Sequence, residues 1–139
     1  MALVLDTGVL YAALDEEDPD HDACASLLAE ADEKLVVPSP VLVELDYWVR
    51  KFASADAWLA FAEDVEAGAY TVYAVSPAAL VAAARIEAKY ADLPIGFVDA
   101  SVLVVCELLG EEKVATLDHR HFGVLRSESG RALRLLPER

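Results

Sequence analysis

The sequence is short of positive charge, of cysteine and of uncharged runs long enough to cross a membrane. Eleven Lys and Arg stand against 25 Asp and Glu, for a formal net charge of −14. A broad basic face for gripping nucleic acid is thereby excluded, because phosphate affinity comes mainly from Lys and Arg. The two cysteines, Cys24 and Cys106, fall in helix-like stretches with no CxxC or Cys/His spacing. They supply neither a zinc site nor a disulfide framework, and buried free thiols in a reducing cytoplasm are expected. The longest uncharged run, Ala67 to Ala84, contains Tyr-Thr-Val-Tyr and then Ser76-Pro77. It reads as strand, break and helix rather than a membrane span. Residues 1–5 lack a basic region and Asp6 cuts any apolar stretch short, so no signal peptide is expected and the cytoplasm is the expected location.

What is present is apolar: 56% of 139 residues, enough for one domain with a sizeable core. No repeat, linker or low-complexity block divides it, so residues 1–139 are read as a single domain. The acid excess is uneven. Residues 1–33 hold ten acids and no Lys or Arg, whereas Arg120, Arg126, Arg131, Arg134 and Arg139 in the last twenty face only Glu128 and Glu138. A basic patch, if the fold makes one, is expected to draw on that tail.

Short apolar runs predict strands at Ala2–Leu5, Lys34–Val37, Tyr70–Val75, Lys113–Thr116 and Ala132–Leu136. Helices are predicted over 7–14, 23–31, 40–52, 54–67, 77 to about 91, and 98–109. Ser39-Pro40 and Ser76-Pro77 supply N-cap signatures, and Gly68 and Gly110 supply stops. Alternation of uniformly apolar strands with helices predicts an α/β fold, a three-layer α/β/α sandwich with a mainly parallel central sheet. Ligands in such sheets bind beyond the carboxyl ends of the strands.

Most of the acids are expected on solvated loops and polar helix faces. Four are not. Asp6 and Asp118 directly follow buried strands. Glu44 lies three residues after Val41 and four before Trp48, on an apolar stripe. Asp99 begins a helix continuing Ala-Ser-Val-Leu-Val-Val-Cys, which is expected to be buried and to carry its early acid deep into the domain. A capping role for Asp99 is the competing reading. Carboxylates buried together repel and lose hydration, and a divalent cation removes both penalties. Oxygen ligands without His or Cys favour Mg²⁺ or Mn²⁺, which suits phosphate chemistry.

Four segments then carry a resemblance: Val4-Leu5-Asp6-Thr7, Ser39-Pro40-Val41-Leu42-Val43-Glu44-Leu45, Leu93 to Ser101 around Asp99, and Ala115 to Phe122 around Asp118. In order and spacing the chain resembles the PIN-domain ribonucleases, specifically the VapC-type toxins of bacterial toxin–antitoxin pairs. The resemblance implies that Asp6, Glu44, Asp99 and Asp118 are catalytic metal ligands for Mg²⁺ or Mn²⁺. It also implies endonucleolytic cleavage of RNA, inhibition of translation, a VapB-like antitoxin partner and a homodimer. Thr7 and Thr116 are implied as hydroxyls that orient water, and Asp92 as an accessory acid. Some relatives carry a further acid soon after the fourth position, where this chain has His119-Arg120-His121; these three are candidates for RNA contact.

Other readings stand beside this one. His21 is read as a helix-start residue, and Tyr47, Trp48, Trp58 and Phe61 as core or dimer contacts rather than base-stacking platforms. No Ser or Cys nucleophile has a suitable partner. An aspartyl-phosphate site at Asp6 would want an acid where Gly8 stands. A catalytically weak or metal-free binding module that mainly engages an antitoxin is the alternative from a different class.

Overall fold

The computed structural model describes residues 1–126 and 130–138; Glu128 and Arg139, two residues of the tail's charge count, lie outside them. The chain runs β1 (Ala2–Leu5), α1 (Thr7–Leu14), α2 (His21–Glu30), β2 (Lys34–Pro38), α3 (Ser39–Phe52), α4 (Ala55–Glu66) and β3 (Thr71–Tyr73). It continues through α5 (Pro77–Lys89), α6 (Phe97–Leu109), β4 (Lys113–Ala115), α7 (His119–Phe122) and β5 (Arg134–Leu136). No helix of the described residues is long and apolar enough to cross a membrane.

The five strands form one sheet in the order β3-β2-β1-β4-β5, and every neighbouring pair is parallel. β1 is central and buried along its whole length, which is why it is apolar at every position rather than alternating. The chain moves outward from β1 to β2 and β3, then returns to β4 on the other side of β1. Right-handed crossovers therefore place α1–α4 on one face and α5–α6 on the other. The reversal of direction lies between β1 and β4, so a crevice opens at their carboxyl ends.

Local chemistry explains the helix boundaries. Ser76 caps α5 by accepting from the Ala79 N–H, and Ser54 caps α4 by accepting from Ala57. Gly110 closes α6 at φ 67°, a left-handed conformation that glycine adopts without strain. The buried stripe of α3 is Val41, Leu45 and Val49. Phe61 is buried against Trp58 and Tyr70, with ring centroids 5.6 and 5.1 Å away. His21 opens α2, its ring nitrogen 2.8 Å from the Ala12 carbonyl. Both cysteines are buried free thiols, and burial pushes Cys106 up to about 12.

Several expectations shift. Ser39 is the first residue of α3 rather than its cap: Pro38 holds the cap position, and Ser39 Oγ instead accepts from the Val75 N–H at 3.1 Å. β3 is shorter than the run Tyr70–Val75, and Val75 is the residue whose N–H Ser39 takes up. α5 ends at Lys89, ahead of Ala91, because Tyr90 leaves the helical conformation. α7 is unanticipated. Two of the tail's arginines, Arg131 and Arg134, lie away from the crevice. Arg134 pairs in register with Lys113 at the start of β4, so it lies at the amino edge of the sheet, opposite the crevice. There Arg134 and Arg131 make ion pairs with Glu138 and Glu112.

Candidate active site

Register decides which side chains meet. Leu5 pairs with Ala115 across β1 and β4, so the next residues, Asp6 and Thr116, stand level at the carboxyl edge. The Thr116 hydroxyl donates to Asp6 Oδ2 at 2.8 Å and accepts the Asp118 N–H at 3.0 Å. Asp6 Oδ1 accepts the Thr7 N–H at 2.9 Å, making Asp6 the N-cap of α1. Asp6, Thr7 and Thr116 are all buried.

Glu44 arrives from the exposed side of α3's buried stripe, and Asp99 from the first turn of α6. Asp6, Thr7, Gly8, Glu44, Trp48, Asp99, Leu117 and Asp118 line one open cavity of about 400 Å³. All four acids singled out in the sequence are thus brought to one place. Asp99 is half-buried rather than deep: it sits at the helix start, on the crevice rim, while Ala100 to Cys106 behind it are buried. Its capping role is also realised, as Oδ2 accepts the Gly96 N–H at 3.4 Å.

Asp118 caps α7, its Oδ1 accepting the His121 N–H at 3.1 Å while its Oδ2 lies 2.7 Å from His121 Nδ1. His119 is half-buried with its Nε2 enclosed and unpartnered, and Arg120 is exposed on α7. Asp92 is exposed in the loop before α6 and does not line the cavity. Trp48, read from the sequence as a core or dimer contact, and Leu117, which sequence reasoning passed over, form walls of the cavity. Trp48's spacing of four from Glu44 was the available signal.

The electrostatics are those of crowded carboxylates. Burial pushes the Asp6 carboxyl up to about 7, against the lowering effect of its two hydrogen bonds, and the charges of Asp99 and Glu44 add to the rise. Asp99 is also raised, first by burial and then by Asp118 and Glu44, while the Gly96 N–H and His121 oppose this. In the same wall the Thr7 hydroxyl is buried without any hydrogen-bond partner, which normally costs free energy. Crowded carboxylates, an orphaned hydroxyl and an open mouth fit a hard divalent cation with part of its water shell.

The PIN domain sequence profile matches residues 3–125. Ribonuclease VapC26 of Mycobacterium tuberculosis (strain ATCC 25618 / H37Rv) is 35% identical over 135 residues, covering 97% of this chain and all of that protein. Among solved structures, M. tuberculosis VapC20, described as a Sarcin-Ricin loop cleaving toxin, superposes with a TM-score of 0.79 at 19% identity. The match covers 88% of this chain and 96% of that one. VapBC2 from Rickettsia felis, bound to a DNA fragment from its promoter, gives 0.69 at 18% identity, over 97% and 98% of the two chains. At such identities the superpositions speak for the fold. The profile match and the curated relative go further: the chain belongs to the PIN domain family, among its VapC members.

Proposed function

We propose that this protein is a divalent-metal-dependent endoribonuclease, the toxin half of a toxin–antitoxin pair, and that its RNA cleavage inhibits translation. The observation that carries the reading is the convergence of Asp6, Glu44, Asp99 and Asp118 on one open cavity at the β1/β4 crevice. A VapC ribonuclease relative over nearly the whole chain supports it.

Asp6, Glu44, Asp99 and Asp118 would hold Mg²⁺ or Mn²⁺, directly or through water. A cation bound there supplies Lewis acidity towards a phosphoryl oxygen, a lowered pKa for water, and compensation of the charge that develops at phosphorus. Thr116 fixes Asp6, and the same hydroxyl fixes the backbone at Asp118, so the two strand-end acids keep one relative position. The unpartnered Thr7 hydroxyl is free to orient a water. Trp48 and Leu117 shield one side of the cavity, and His119, Arg120 and His121, on the turn that Asp118 caps, would contact RNA. No protein nucleophile is called for. In-line attack of water on phosphorus expels the 3′ oxygen and leaves a 5′-phosphate and a 3′-hydroxyl.

The partner in this reading is an antitoxin that carries both apolar and basic side chains. An apolar groove of about 810 Å³, lined by Pro40, Val43, Tyr47, Trp48, Phe97 and Val98, shares Glu44 and Trp48 with the acid cavity. A helix seated in the groove would reach the carboxylates with an arginine, pairing charges without RNA. Exposed Leu80, Val81, Leu108 and Leu109 on α5 and α6 offer a separate surface for a homodimer. Cytoplasmic action is part of the proposal.

The test is cleavage of cellular RNA by purified protein with Mg²⁺, with and without chelator, beside Asp6→Asn and Asp99→Asn. Cleavage that depends on the cation and is lost in both variants is expected. Equal cleavage by the variants would sink the reading.

A further inference from the structure

The four-acid quartet contains oxygen donors alone, yet among the described residues the close group of three ligating side chains includes an imidazole. Asp99, Asp118 and His121 each offer one ligand atom, and these atoms all lie within 4.8 Å of one another. Among the described residues this is the one group of three or more His, Cys, Asp or Glu that meets so closely. Asp6 and Glu44 line the same cavity but lie outside that set.

We propose that His121 is a cation ligand. Together with Asp99 and Asp118 it forms a mixed imidazole–dicarboxylate subsite that biases the chain towards first-row transition ions such as Mn²⁺ over Mg²⁺. The inference rests on the cation-binding reading above and deepens it.

Local structure holds the imidazole in place. α7 is a single turn whose start is fixed by Asp118 accepting the His121 N–H, so His121 lies on the same side of the turn as the acid that caps it. The ring is partly enclosed, with 20% of its side chain exposed, and Nδ1 lies 2.7 Å from Asp118 Oδ2. A carboxylate that accepts from one imidazole nitrogen orients the ring and strengthens the other nitrogen as a donor to a metal ion.

A second, independent observation points to a missing ligand in the same cavity. Thr7, 1% exposed, has a buried hydroxyl with no partner. Chemistry then sets the preference. Mg²⁺ takes oxygen ligands and water in near-ideal octahedral geometry, whereas imidazole nitrogen suits transition ions. A site that offers nitrogen from His121 and oxygen from Asp99 and Asp118 therefore discriminates between two ions that an all-carboxylate site would treat more alike.

The experiment uses the full chain loaded with Mn²⁺ and read by pulsed electron paramagnetic resonance, which detects coupling of the ion to a directly bound imidazole nitrogen. Parallel calorimetric titrations with Mn²⁺ and Mg²⁺ are run on wild type, His121→Gln and His119→Gln. Nitrogen coupling is expected in wild type and His119→Gln and absent in His121→Gln, whose Mn²⁺ affinity falls roughly tenfold while Mg²⁺ affinity changes little. Bound Mn²⁺ without nitrogen coupling, or coupling that survives in His121→Gln, overturns the proposal and leaves the nuclease reading standing. Failure of wild type to bind either ion overturns both. The wild-type spectrum decides the first point even if a variant folds poorly.

Discussion

Asp6 and Asp118 follow adjacent parallel strands at the same edge, yet they sit in different surroundings. Asp6 is buried, with both oxygens taken by the Thr7 N–H and the Thr116 hydroxyl. Asp118 has 34% of its side chain exposed and is held by a histidine from a one-turn helix. The inner half of the cavity, at Asp6, is buried and costly to charge; the outer half, at Asp118, is partly solvated. The contrast teaches that four acids in one cavity need not be equivalent. Asp6, the buried acid, has the larger need for a cation, and on the proposal above Asp99 and Asp118 with His121 select which cation.

The largest expected effect breaks the inner half. Asp6→Asn should lower RNA cleavage by about 100-fold or more, since a metal's contribution to phosphoryl transfer is several kcal/mol. Asp118→Asn, at the solvated end, should cost about tenfold. Equal losses in a single-turnover assay would erase the distinction between the halves.

Next in size is a pH effect on the cation-free chain. Folding raises the Asp6 carboxyl from an ordinary value near 3.8 to about 7, so the folded state holds more protons than the unfolded state between those values. Stability therefore falls as pH rises through that window, and the cost is fully present above about pH 7. In Asp6→Asn the amide oxygen keeps the Thr7 N–H, and the amide nitrogen donates to Thr116. This variant should unfold about 5–10 °C higher than wild type at pH 8 in chelator, and the advantage should shrink towards pH 4. Thermal scans across pH measure it, and a pH-independent difference would argue against a buried charge.

Thr116→Val removes a hydroxyl that serves both halves while keeping the shape of the side chain. It leaves the Asp118 N–H without its acceptor, for a loss of about 1–2 kcal/mol in urea unfolding. Smallest of all is Asp92→Asn. Exposed and outside the cavity, it should leave cleavage unchanged within about twofold.

Much of this was legible in the sequence, for physical reasons. β1 is apolar throughout, and β4 is apolar over Val114 and Ala115, because these residues are buried, so the acids that follow were conspicuous. Glu44 stood out because a helix of period 3.6 places it beside Val41 and Trp48. The depth of Asp99 was not legible, since an apolar helix says that its body is buried and not where its first turn emerges. α7 escaped because a four-residue helix has no periodicity, and what fixes it is the Asp118 cap. The position of Arg131 and Arg134 depends on the register of β5 against β4, a tertiary fact that net charge along the tail cannot contain.

The central claim is that the carboxylates at the β1/β4 crevice form a divalent-cation site. Calorimetric titration of Mg²⁺ and Mn²⁺ into the purified chain at pH 7.5, beside Asp99→Asn, tests it most directly. The account predicts saturable binding in wild type that is lost in the variant. Absence of saturable binding in wild type, or equal binding by both proteins, would contradict it.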